Sequence, residues 1–243
     1  RRSRMRGEAL IGAVLLLAGA AAAETADPQR LQHVDRSTLT ETYAPGVFEP
    51  TYAPPAPGSY TLPVIRTVQD HPLLDTAGKP TTLFAATVDR VAVVAFVYLA
   101  CVEAGGCPLS HAVQHGLDRA LAADLALAKR VTLLTVSFDP ERDTPEQMAA
   151  QRKLHDPRSD WRFFTTRGGP ELDRLLADFD QPVAKLRYED GVWSGLYRHV
   201  LKVFLVDQQH RVRAIYSTGF LNQALVLNDV KTLVAETRRS AAQ

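Results

Sequence analysis

The chain has two thiols, Cys101 and Cys107, with five residues between them. Thiols this close support three kinds of chemistry. They can close an inert disulfide, exchange disulfides with a partner, or bind a soft metal as thiolates. Two imidazoles follow, His111 and His115, spaced i, i+4. On a helix that spacing puts both rings on one face, where they either add metal ligands or stand as a solvated pair.

The element that must position the thiols is the run from Val91 to Leu99. It is apolar, rich in β-branched and aromatic residues, and shows no alternation, so it reads as a strand buried on both faces. Both cysteines fall on the loop at its carboxyl end, where open α/β sheets carry ligands and reactive groups. Gly105 and Gly106 sit in that loop, and positive φ at these glycines is the expected way for the chain to double back.

From Tyr60 onward the pattern is regular. It predicts a short strand over 81–87, the central strand, and a helix over 109–129 with apolar positions every three to four residues. A second buried strand follows over 131–138. Thr144 and Pro145 then open a helix over 144–155, as a cap and a first-turn proline. A strand over 162–165 and a helix over 170–179 come next. Strands over 197–206 and 211–217 read as a hairpin joined at 207–210, before a closing helix over 222–239. This order implies a thioredoxin-like α/β fold, a central mixed sheet with helices on both faces.

The first residues are basic, followed by an apolar run from Ala9 to Ala23 that ends in small residues. This reads as a signal peptide over 1–23, cleaved after Ala23. A retained membrane anchor is the alternative, although about 15 residues span only about 22 Å of a core about 30 Å thick. Either reading places the folded part outside the cytosol: in the periplasm if the cell is Gram-negative, and otherwise exported. Residues 24–60 are proline-rich and aperiodic, an extended leader whose aromatic residues Tyr43, Phe48, Tyr52 and Tyr60 suit docking on the domain, which then covers 61–243. The net charge of +1 leaves no electrostatic footprint for nucleic acid. Membrane contact is expected only through the N-terminal segment.

Four segments together resemble the Sco/SenC family of copper-binding, thioredoxin-like proteins. They are the buried strand ending in a cysteine pair whose second member precedes Pro108, the segment Val136 to Pro145 with its Asp-Pro-Glu-Arg-Asp-Thr-Pro core, the Trp161 to Thr165 strand, and the segment Tyr197 to Asp207 carrying His199. The likeness covers roughly residues 60–237. The family's usual spacing is Cys-x-x-x-Cys, and this loop is two residues longer. Tyr98 stands close to where the family often has tyrosine.

The resemblance implies a copper site of Cys101, Cys107 and His199, in either oxidation state of the metal. It implies delivery of copper to the dinuclear copper centre of a respiratory oxidase, or reduction of that centre's cysteines. The oxidase subunit and a thiol reductant are the implied partners. A helix start near Leu109 would lower the Cys107 pKa through the backbone dipole. Asp139 is expected either to orient the loop or a partner, or only to cap a turn, and Asp143 to start a helix. His71, His155 and His210 read as surface or turn residues. The alternatives are a metal-independent periplasmic thiol–disulfide oxidoreductase using Cys101 and Cys107, a domain with a structural disulfide, and a peroxiredoxin relative. The oxidoreductase is disfavoured by a spacing longer than Cys-x-x-Cys. The peroxiredoxin is disfavoured by the residues before Cys101, which lack that class's proline and threonine.

Overall fold

A computed structural model describes residues 52–103 and 105–241. The signal segment and most of the leader, with Tyr43 and Phe48, lie outside these. In chain order the strands are β1 (Arg66–Thr67), β2 (Pro72–Leu74), β3 (Pro80–Thr82), β4 (Val91–Val97), β5 (Val131–Ser137), β6 (Trp161–Phe164), β7 (Val183–Arg187), β8 (Trp193–His199), β9 (Lys202–Val206) and β10 (Arg211–Ser217). The helices are α1 (Leu83–Thr87), α2 (Cys107–Ala123), α3 (Leu125–Ala128), α4 (Pro145–His155), α5 (Gly169–Asp178) and α6 (Gln223–Ala241).

The main sheet has the order β1-β10-β9-β4-β5-β6. β4, β5 and β6 run parallel, and β9 and β10 close the other side antiparallel. β4 is buried along its whole length. Its residues alternate between two cores. Val91, Val93 and Ala95 pack with Val113, Leu117 and Leu121 of α2 and with Val226 and Val230 of α6. Ala92, Val94 and Phe96 pack with Leu175, Leu176 and Phe179. A slip of one residue would exchange the two faces, so the register is strongly specified. This is the mixed α/β architecture expected from the sequence.

Several local expectations change. Residues 83–87 are helical rather than extended, because the Thr82 hydroxyl caps them by accepting from the Ala85 amide at 3.2 Å. The helix expected over 109–129 starts earlier, at Cys107, and breaks at Asp124, whose carboxylate accepts from the Leu127 amide and starts α3. The strand expected over 197–206 is two strands. β8 lies outside the main sheet and pairs with β7, which the sequence reading missed, while β9 belongs to the sheet. The break falls at Val200 and Leu201, where the Gln181 side chain donates to the Val200 carbonyl at 2.9 Å. Tyr60 docks as expected, on Asp229 and Asn228 of α6, whereas Tyr52 is exposed. Among the described residues no helix is long and apolar enough to cross a membrane.

The carboxyl ends of β4 and β5 are tied together. Val97 stands opposite Ser137, and the Phe138 amide donates to the Val97 carbonyl at 2.9 Å. Asp143 completes the tie: it accepts from the Leu99 amide at 3.0 Å and from the Ser137 hydroxyl at 2.5 Å. It is a buried clamp on the start of the cysteine loop rather than a helix-start residue, since Thr144 caps α4.

Burial raises the Asp143 carboxyl to about 6. Between the ordinary aspartate range and that value, unfolding releases a proton, so this group's contribution to stability falls as pH rises. Asp143→Asn removes the titration. In urea unfolding, the wild type's stability relative to the variant should drop by roughly 2–3 kcal/mol between pH 4 and pH 7. A flat difference would show that the carboxyl titrates normally.

Candidate metal centre

Cys101 leaves β4 in a tight turn, its amide donating to the Tyr98 carbonyl at 3.1 Å. Cys107 is the first residue of α2, with Gly106 before it and Pro108 in the first turn. His199 is the last residue of β8, paired with Val183. His199 lies 92 positions beyond Cys107 in the chain, yet one ligand atom from each of the three residues lies within 4.8 Å of the other two. Cys107 Sγ and His199 Nε2 are 3.9 Å apart. Both cysteines are free thiols and both are buried.

The glycine expectation fails in its detail but not in its substance. Gly106 has φ −102°, not the left-handed value expected. Its lack of a side chain matters for close approach instead. A Cβ there would stand 3.2 Å from both Cys101 Sγ and the Glu103 carbonyl oxygen. The start of α2 can come this close to Cys101 because the position is glycine.

Aromatic packing seats the histidine. Its ring meets Tyr98 edge-on at 5.4 Å and Phe138 at 5.3 Å, and Tyr98 also meets Tyr197 at 5.1 Å. His199 Nδ1 is buried and has no hydrogen-bond partner among the described residues. Tyr197, two residues earlier on the same face of β8, donates from its hydroxyl to the buried Asp139 at 3.0 Å. Arg142 pairs with the other oxygen of Asp139 and lays its guanidinium over Trp193 at 4.6 Å. Asp139 therefore holds the histidine strand through Tyr197, a contact different from the loop-orienting and turn-capping roles expected of it. The period of two linking Tyr197 to His199 was the sequence signal for this contact.

The electrostatics reverse one expectation. The Cys101 thiol is pulled down to about 4, first by the hydrogen bond from Cys107 and further by one from His199, against the opposing effect of burial. Cys107 is pushed up instead, because it donates to that thiolate and is deeply buried. The helix start was expected to activate Cys107; it presents Cys107 as the donor that activates Cys101. Tyr98 is held neutral by burial and by the two thiols.

The donor set fits copper. Donors bonded at about 2.0–2.3 Å around a trigonal ion stand roughly 3.5–4 Å apart, near the observed sulfur–nitrogen separation. Two sulfurs and one imidazole are the set that a soft ion prefers.

The other histidines differ from expectation. His71 is buried and pairs with Asp178 at 2.9 Å. His155 packs against His111 and His115 rather than standing on the surface. His210 lies in its turn, as expected, stacked on Phe84.

Residues 62–235 match the SCO1/SenC family, most of the chain. Among solved structures, the chain is similar to a SCO1/SenC family lipoprotein from Bacillus anthracis, at 24% identity and TM-score 0.56, over 70% of this chain and 95% of that one. It is similar to Bradyrhizobium japonicum ScoI, solved with copper bound, at 20% identity and TM-score 0.53, over 70% and 98%. It is also similar to BsSco, described as having a disulfide switch and as a member of the Sco family of cytochrome c oxidase assembly proteins, at 21% identity and TM-score 0.55, over 72% and 98%. No curated protein matches the sequence. The structural likenesses carry the thioredoxin-like fold, the family match covers the whole of the sheet and the cysteine loop, and on that match the chain belongs to the SCO1/SenC family.

Proposed function

We propose that this chain is an exported copper-binding protein that holds one copper ion on Cys101, Cys107 and His199. It would deliver the ion to the dinuclear copper centre of a respiratory oxidase, or first reduce that centre's cysteines. The convergence of the three donors carries this reading. The copper bound to one solved relative and the oxidase-assembly description of another agree with it. The signal peptide over 1–23, the leader over 24–60 and the domain over 61–243 belong to the same proposal.

The site's chemistry suits a carrier. The hydrogen bond from Cys107 favours the thiolate form of Cys101, so a soft ion meets a prepared ligand. Cys107 must lose its proton on binding, which makes affinity fall as pH falls. Three protein donors leave room for a ligand from the recipient, so the ion can pass by exchange of one ligand at a time. The same thiolate can reduce a disulfide. Cys101 Sγ attacks one sulfur of the partner's bond and releases the other as a thiolate. Cys107 then loses its proton and attacks the mixed disulfide at Cys101, leaving a Cys101–Cys107 disulfide and the partner's second thiolate. A thiol reductant must restore the pair.

Reduced protein should retain one Cu(I) per chain against a competing chelator. Loaded instead with Cu(II), it should show a sulfur-to-copper charge-transfer band. Cys101→Ser or Cys107→Ser should abolish the band, and His199→Ala should weaken retention at least tenfold. A band surviving the double cysteine change would sink the site assignment. Gly106→Ala should weaken retention several-fold with an unchanged circular dichroism spectrum, because the added methyl crowds Cys101 Sγ; unchanged retention would mean that the loop yields freely. Alkylation of Cys101 by iodoacetamide should proceed at nearly the same rate from pH 5.5 to pH 8. An ordinary thiol's rate climbs about tenfold per pH unit over that range, and such a climb here would rule out a standing thiolate.

A further inference from the structure

Beside the thiol pair lies a group of imidazoles that the Cys101–Cys107–His199 site does not use. His111 and His115 stand one turn apart on α2, and His155 reaches them from the end of α4. His115 Nε2 and His155 Nδ1 are 2.7 Å apart, joined by a shared hydrogen. The His111 ring stacks on His155 with centroids 4.6 Å apart. His111 Nδ1 is buried without a hydrogen-bond partner among the described residues. All three rings line one cavity of about 400 Å³, and Cys101 and Cys107 line it too.

We propose that His111, His115 and His155 form a second metal site, taking a borderline divalent ion, Cu(II) or Zn(II), in the same cavity as the thiols. Trp161 packs on both His115 and His155, and Phe163 on His155. The groups acting on His111 besides burial are His155 and His115, which oppose a proton there and hold it at about 3. Burial and His115 hold His155 at about 4. His111 and His155 are therefore neutral at neutral pH, the form that ligates metals. Two nitrogens on a tetrahedral ion at about 2.0–2.1 Å stand roughly 3.3 Å apart. A small opening of the His115–His155 pair lets an ion replace the shared hydrogen. His111, on the preceding turn of α2, lies face-on to His155 and supplies the third nitrogen by turning out of that stack. Imidazole suits Cu(II) and Zn(II), whereas the thiol pair suits Cu(I), so one cavity would offer sites for two oxidation states of copper.

The test uses the full chain carrying Cys101→Ser and Cys107→Ser, which removes the soft site. Titration with Cu(II) should give one bound ion without a charge-transfer band, with nitrogen couplings from two or three imidazoles in its electron paramagnetic resonance spectrum. Zn(II) should compete for the same site only in large excess over Cu(II). Adding His111→Gln or His155→Gln should weaken Cu(II) binding at least tenfold, while His71→Gln in the same background should leave it unchanged. Circular dichroism separates a lost site from a lost fold, and the nitrogen couplings test the site without any histidine change. Absence of Cu(II) binding, nitrogen couplings from a single imidazole, or binding untouched by the His111 and His155 changes would overturn the proposal. The thiolate site is read separately, from the charge-transfer band of the wild type, so either site can fail without the other.

Discussion

Val97 stands opposite Ser137, and the rest of the site depends on that register. β4 is buried on both faces, and each face carries residues matched to a different core, so the pairing cannot slip without disturbing both. With the register held, two loops leave the sheet side by side. One carries the cysteines and the other carries Asp139, Arg142 and Asp143. Asp143 joins them by accepting from Leu99 on one side and Ser137 on the other.

The third donor arrives by a different route. β8 forms a ribbon with β7, outside the main sheet, and its last residue, His199, lies against Cys107. Asp139 anchors that ribbon through Tyr197, and Arg142 clamps it through Trp193. A strand outside the main sheet is held by few backbone partners. Its aim therefore depends on these side chains, all of them supplied by the Asp-Pro-Glu-Arg-Asp-Thr-Pro segment or by β8 itself. That segment positions the histidine as well as starting α4.

The cysteine pair is asymmetric because its two members sit in different surroundings. Cys107, on the first turn of α2, is the more deeply buried, and its thiol points at Cys101. His199 and the partner thiol face both sulfurs, so the difference lies in the greater cost of burying a charge on Cys107. Position at a helix start does not decide which thiol ionises here; the deeper burial of Cys107 disfavours a charge on it, and its retained proton then bonds to Cys101. Gly106 permits the geometry by bringing the helix start against Cys101.

The sequence by itself determined the sheet's central strands, the place of the cysteines and the class of fold. Those rest on hydrophobic runs and turn chemistry, which act over a few residues and are legible along the chain. It also carried His199 through its motif, although the strand bearing it was placed in the wrong ribbon. Only the tertiary structure decided which thiol is ionised, what Asp143 does, and that His155 closes a group with His111 and His115. Each of these is a contact between residues 30 or more positions apart, or between groups whose charge depends on burial. Periodicity records which face of an element is buried, but not which side chain of another element lies against it.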